Sequence, residues 1–189
     1  MNFAEAKKTL GGIFQIIAQD LNSVIEMLPI KKSSKILDIG TGDGKMAITI
    51  ALNGFNVITG EPKDDESIYS NRDWKQNAIK TEVDHLIEFK YFNVNQLPFD
   101  ENSFDFVFSY GGFHHFNNKK KSLKEILRVI KPEGTFVIIE PNTQMIKKIQ
   151  HKHPDHPKAE DPRKYLEERD INPILKKLNK VDAYIFEKN

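Results

Sequence analysis

Apolar residues recur at helical spacing over residues 13–28, at Ile13, Ile17, Leu21, Val24 or Ile25, and Leu28, and Pro29 stops the run. Gly11-Gly12 separates this predicted helix from a short leading one. KILDI over 35–39 reads as a buried strand, GTGDGK follows, and an apolar helix runs to about Leu52, ended by Gly54. FNVITG at 55–60 is the next predicted strand, closed by Glu61-Pro62. Scattered apolar positions in 63–87 (Ile68, Tyr69, Trp74, Ile79, Leu86) predict one or two helices. Strands follow at 88–94 and 104–110, then an amphipathic helix at 121–130 with Leu123, Ile126, Leu127 and Ile130 on one stripe. KPEG turns the chain into a strand at 135–140.

Three of these strands are apolar on both faces, as in parallel sheets covered by helices. The alternation of strand and helix predicts an α/β protein: a Rossmann-like three-layer sandwich with a mostly parallel, doubly wound sheet. The tail is less regular. A Pro- and His-rich loop at 151–162, a helix around 163–179 and one clear strand at 183–187 give a shortened C-terminal part. We expect one domain over 1–189: a helical lid (1–34), a core (35–140), and a closing loop, helix and strand (141–189).

Composition narrows the function. Leu, Ile, Val and Phe make up 55 of 189 residues, which excludes a disordered chain. The 28 basic and 27 acidic residues nearly cancel, so neither nucleic acid nor an acidic membrane is an expected partner. Cysteine is absent, which removes disulfides, thiolate zinc sites and any Cys nucleophile. No apolar run approaches the roughly 20 residues of a membrane span, and no signal-peptide core is visible. A cytoplasmic protein is the expectation.

The sharpest chemical signal is Leu37-Asp38-Ile39-Gly40-Thr41-Gly42-Asp43-Gly44, a strand entering three alternating glycines before a helix. Such a loop lets backbone approach a ligand, and open parallel sheets bind ligands at the carboxyl ends of their strands. A phosphate-binding P-loop needs four residues between its glycines and Ser or Thr after its lysine; here there are three, and Met46 follows Lys45. A dinucleotide fingerprint needs glycine where Lys45 stands.

The pattern Asp-x-Gly-x-Gly-x-Gly resembles motif I of class I S-adenosylmethionine-dependent methyltransferases. Glu61 follows at the end of the second strand, and Asn93-Val94 at the end of the third. Then come Leu97-Pro98-Phe99-Asp100-Glu101-Asn102-Ser103-Phe104-Asp105, His114-His115, and Leu127-Arg128-Val129-Ile130-Lys131-Pro132-Glu133-Gly134. In this order the segments resemble the type-11 methyltransferase domain, near the ubiquinone-biosynthesis branch, over about residues 35–140.

The resemblance implies S-adenosyl-L-methionine as cofactor and methyl transfer to a small-molecule nucleophile by in-line displacement. It places the cofactor at Asp38, Gly40, Thr41, Gly42, Gly44, Glu61, Pro62, Asn93, Val94 and Ser109. Glu61 would accept both ribose hydroxyls, and Asn93, where the family usually has Asp, would meet adenine. His114, His115 and Tyr110 are the candidate catalytic residues. Either histidine would act as general base or orient the acceptor, or both simply pack the loop. Ser109 and Tyr110 would line the methionine moiety. Phe99, Phe113, Phe116 and Trp74 are read as core more readily than as stacking partners, and Asp105 as structural. Ser109-Tyr110-Gly111-Gly112 lacks the Asn-Pro-Pro-Tyr type of motif used for amino methylation of adenine or glutamine.

One cluster lies outside the resemblance. His151, His153, Asp155 and His156 fall within six residues, and imidazoles suit zinc, nickel or copper. The three histidines are a candidate metal site, whose ion would be regulatory or would help position an acceptor together with His114 or His115; an exposed hydrophilic loop is the simpler reading. The rival function is a non-catalytic cofactor-binding or metal-handling accessory using 151–156. A homodimer would cover the sheet edge that one C-terminal strand leaves open.

Overall fold

The computed structural model describes residues 1–64, 73–166 and 173–188. Thirteen elements follow in order: α1 (Phe3–Leu10), α2 (Gly12–Glu26), β1 (Ile36–Ile39), α3 (Lys45–Leu52), β2 (Val57–Glu61), α4 (Trp74–Lys80), β3 (Ile87–Tyr91), β4 (Phe104–Tyr110), α5 (Lys119–Val129), β5 (Ile130–Pro141), α6 (Thr143–Lys152), β6 (Ile174–Lys177) and β7 (Val181–Glu187). Short 3-10 turns at Asp84–Leu86, Phe113–His115 and Pro162–Tyr165 link them.

Helix starts follow side-chain chemistry. Asn2 and Glu5 form a reciprocal capping box at α1, while Asn118 and Asn142 cap α5 and α6. Gly11, at φ 57°, ends α1 and turns the chain into α2.

The seven strands form one sheet in the order β3-β2-β1-β4-β5-β7-β6. All pairs are parallel except β5–β7 and β6–β7. The order reverses at β1, which has β2 on one side and β4 on the other, so the switch point opens beyond the ends of β1 and β4. Two cores flank the sheet. On one face Ile17, Leu21, Ile48 and Ile50 from α2 and α3 meet Phe108, Val137 and Ile185. On the other, Leu123 and Ile126 of α5 meet Leu37, Val107, Phe136 and Phe186. Phe104 and Phe106 face opposite cores although two residues apart, because the register slips between them.

The tail departs from expectation. The helix expected over 163–179 is a 3-10 turn at its start and strand β6 near its end; its middle, 167–172, lies outside the described residues, as do Ile68 and Tyr69. The C-terminal part therefore has two strands, not one. β6 escaped notice because Ile-Leu-Lys-Lys has no alternation and sits mostly exposed at an edge. With that edge occupied, the argument for a homodimer loses its basis. Helix α6 was likewise not anticipated. The third strand ends at Tyr91 rather than 94, because Asn93 Oδ1 accepts the Asn95 N–H at 2.9 Å and closes a turn. The expected lid, α2, buries Phe14, Ile17, Ala18, Leu21, Val24 and Ile25, and so forms a wall of the first core.

Candidate active site

The loop after β1 is a cradle. Gly40 and Gly42 have φ of 92° and 51°, and a Cβ built on either meets nothing within 4 Å. Their open faces are available to a ligand, and their conformations disfavour any side chain. Gly44 differs: its φ of 85° also needs glycine, but a Cβ there would crowd Ile48 and Trp74 at 3.1 and 3.2 Å.

Asp38 lies beneath the loop and is 1% exposed. Its Oδ2 accepts the Thr59 hydroxyl at 2.8 Å, and Thr59 meets Thr41 at 2.9 Å. Oδ1 is buried without a hydrogen-bond partner. Burial pushes the Asp38 carboxyl up to about 7, against the opposing Thr59 hydrogen bond. Glu61, at the end of β2, accepts the Gly42 N–H at 3.1 Å, so the loop and the expected ribose-binding carboxylate position each other. Lys45 pairs with Asp43 at the start of α3.

The remaining predicted cofactor residues are less uniform. Asn93 and Pro62 are exposed, and the Asn93 carbonyl oxygen closes its own turn, leaving its amide N–H groups to offer. Val94 is buried in the second core. Ser109 is also buried, and its hydroxyl donates to the Ile39 carbonyl at 3.0 Å, joining β4 to β1. Ser109 thus holds the switch point together from within. Trp74 stacks on Phe89 with ring centres 5.4 Å apart, and Phe113 lies within the second core against Phe116, so these aromatics pack the fold.

Tyr110 ends β4. Burial, with Asp43, Glu140 and Asp20 nearby, pushes its phenol far above the usual value. At neutral pH it is a hydrogen-bond donor and not a base.

His114 follows in the turn after β4. It and Glu140, at the end of β5, are both buried, and Nδ1 lies 2.5 Å from Glu140 Oε2. Burial pushes Glu140 up, the His114 contact pulls it down, and the net shift is upward. The His114 Nε2 is buried and unpartnered. His115 packs beside it with ring centres 4.2 Å apart, and His156 completes a triangle at 5.1 and 5.3 Å. The metal set read from the sequence does not gather. His151 and His153 are exposed, while the backbone turn at Pro154-Asp155 carries His156 inward, its N–H bonding the His153 carbonyl at 3.0 Å. Sequence reasoning missed Glu140, although Glu140-Pro141 repeats the strand-ending Glu61-Pro62 pattern.

An open glycine cradle thus lies at the switch point of a three-layer α/β fold, beside a buried carboxylate and a strand-end glutamate. The sequence profile of the methyltransferase domain matches residues 37–138, and the chain belongs to that family. Among similar proteins, 27-O-demethylrifamycin SV methyltransferase of Amycolatopsis mediterranei is 30% identical over 112 residues, covering 59% of this chain and 40% of that protein. The ubiquinone/menaquinone biosynthesis C-methyltransferase UbiE of Rickettsia prowazekii is 33% identical over 112 residues, covering 57% and 44%. The match thus spans less than half the length of either relative. A SAM-dependent methyltransferase from Aquifex aeolicus shares the fold with a TM-score of 0.68 at 19% identity, each chain covered in full. Geranyl diphosphate C-methyltransferase of Streptomyces coelicolor, solved with Mg2+, geranyl-S-thiolodiphosphate and S-adenosyl-L-homocysteine, gives 0.68 at 12%, covering 91% of this chain and 76% of that one.

Proposed function

We propose that this chain is an S-adenosyl-L-methionine-dependent methyltransferase acting on a small molecule. The observation that carries the reading is the open face of Gly40 and Gly42 above the unpartnered Asp38 Oδ1, in a chain of the methyltransferase-domain family. These residues fit the cofactor. The glycines admit its backbone-hugging portion, Asp38 offers a buried carboxylate oxygen to a cationic ammonium, and Glu61 offers a carboxylate to the ribose.

When bound, the cofactor supplies an electrophilic methyl group on a sulfonium. The protein's part is alignment in a site that excludes water. Glu140 fixes the His114 ring through Nδ1 and leaves Nε2 as its buried, unpartnered nitrogen. Tyr110 contributes a phenol that burial keeps protonated. His115 joins His114 in contacting the acceptor. Residues 1–189 act together as one catalytic unit, and a cytoplasmic location goes with this reading. Among the described residues no helix is long and apolar enough to cross a membrane. The accessory reading has the family against it and lacks its expected histidine cluster.

Calorimetric titration with S-adenosylmethionine and S-adenosylhomocysteine tests the proposal. We expect micromolar binding that Glu61→Ala weakens at least tenfold. Failure of both ligands to bind would overturn it.

A further inference from the structure

The histidine triangle is assembled from two distant stretches of chain. His114 and His115 come from the 3-10 turn after β4, and His156 from the segment after α6. One ring nitrogen from each can be chosen so that all three lie within 4.8 Å of one another. In no other group among the described residues do three His, Asp or Glu side chains converge so closely.

Protonation chemistry selects the nitrogens. A carbonyl oxygen only accepts, so His156 Nδ1 carries the proton that it donates to the Pro157 carbonyl at 2.8 Å. Its lone pair is therefore on Nε2. With Glu140 ionised, its Oε2 accepts from His114 Nδ1 in the same way, leaving the lone pair on the buried Nε2, which has no partner. A carboxylate behind an imidazole is the arrangement that orients a metal-ligating histidine and raises its basicity.

We propose that His114, His115 and His156 hold one divalent transition-metal ion of the zinc type, with Glu140 as the positioning carboxylate behind His114. Three imidazoles suit Zn2+, Co2+, Ni2+ or Fe2+, and do not suit Mg2+, which takes oxygen ligands. A tetrahedral ion with bonds of about 2.0–2.1 Å needs its ligand atoms about 3.4 Å apart. The three atoms lie within 4.8 Å of one another, so binding would draw the rings together, chiefly the less buried His115. Three protein ligands leave a fourth position open, as in catalytic rather than structural zinc sites. The ion would lie beyond the ends of β4 and β5, on the acceptor side, and its open position fits an anionic oxygen of the acceptor. That placement rests on the methyltransferase reading; the metal site itself does not.

The test is titration of tag-free, chelator-treated full chain with Co2+ in the absence of cofactor, followed by visible absorption. The expected result is one Co2+ per chain with the intense bands of a four- or five-coordinate site. His156→Ala and His115→Ala should each remove those bands while circular dichroism stays unchanged. The double variant His151→Ala/His153→Ala should keep them, and Glu140→Gln should weaken binding 10–100-fold. Absence of the bands, or their loss only in the His151/His153 variant, would overturn the proposal. Metal binding without cofactor binding would leave this site standing and remove the methyltransferase reading. Cofactor binding without metal would do the reverse.

Discussion

Glu140 Oε2 and His114 Nδ1 meet at 2.5 Å, each on a side chain only 1% exposed, the glutamate at the end of β5 and the histidine in the turn after its parallel neighbour β4. Two groups that water would otherwise solvate are held in a dry site, so the consequences of removing them are unequal. His114→Ala strands a buried carboxylate and should cost about 3–5 kcal/mol. Glu140→Gln keeps the shape and a hydrogen-bonding partner and should cost no more than about 1–2 kcal/mol. Urea denaturation of the two variants checks this order; equal losses would mean that the pair is not buried as described.

Asp38 should make cofactor affinity depend on pH. Its folded value of about 7 leaves it about half protonated at neutral pH. A cationic ligand prefers the carboxylate, so binding releases protons near pH 7, and affinity falls up to tenfold per unit as pH drops below it. Calorimetry in buffers of different ionisation enthalpy measures that release. Asp38→Asn should abolish both the release and the pH dependence.

The same carboxyl acts oppositely on stability. Its folded value is raised above the unfolded one of 3.8, so its contribution is fully present below about pH 4 and lost as pH rises through 7. A shift of this size corresponds to as much as about 4 kcal/mol. Asp38→Asn should therefore be more stable than the parent at pH 8 and similar at pH 4, by denaturant unfolding. A variant less stable at pH 8 would contradict the assignment.

Two glycines should fail in different ways. Gly40→Ala puts Cβ into open space and costs only the strain of a positive φ, about 1–2 kcal/mol, but obstructs the cradle. Gly60→Ala would drive Cβ to 2.0 Å from the Lys90 carbonyl and should prevent folding. Melting curves with S-adenosylhomocysteine titrations separate a folded non-binder from an unfolded chain.

Arg128 should not tolerate lysine. Its guanidinium donates to the Phe99 and Leu97 carbonyls at 2.8 and 2.9 Å and to Glu125, which also accepts the Leu97 N–H. Arg128→Lys loses this fork and should cost about 1–3 kcal/mol. The hydrogen bond from Arg128 holds the Glu125 carboxyl below its ordinary value, so the clasp contributes above pH 4.5 and weakens as pH falls further. An unchanged urea midpoint in Arg128→Lys would dismiss the clasp.

That clasp also explains what the sequence made legible. The Leu97-to-Asp105 and Leu127-to-Gly134 segments bind one another, through Arg128 and through Lys131 to Asp105 at 2.8 Å. In this chain they tie the loop before β4 to α5 and the start of β5. The glycine loop and Glu61 were readable because strand, turn and acid are consecutive or evenly spaced. His156 was misgrouped because neighbours in sequence, His151 and His153, point into solvent, while its partners lie about 40 residues earlier. Glu140 looked like the polar end of an apolar strand, and its pairing with His114 is a tertiary contact that periodicity cannot reveal. β6 lacked any burial pattern to read.

The position of β7 has a bearing on how the chain is made. It is the latest of the seven strands in sequence, yet it sits inside the sheet, paired with β5 along seven residues from Thr135–Glu187 to Pro141–Val181. During synthesis β1 to β5 emerge first, and the apolar flank of β5 stays uncovered until residue 187 has left the ribosome. A nascent chain stalled before that point presents a long bare edge to its neighbours. Chaperone demand and aggregation in this protein should therefore peak between the emergence of β5 and that of β7.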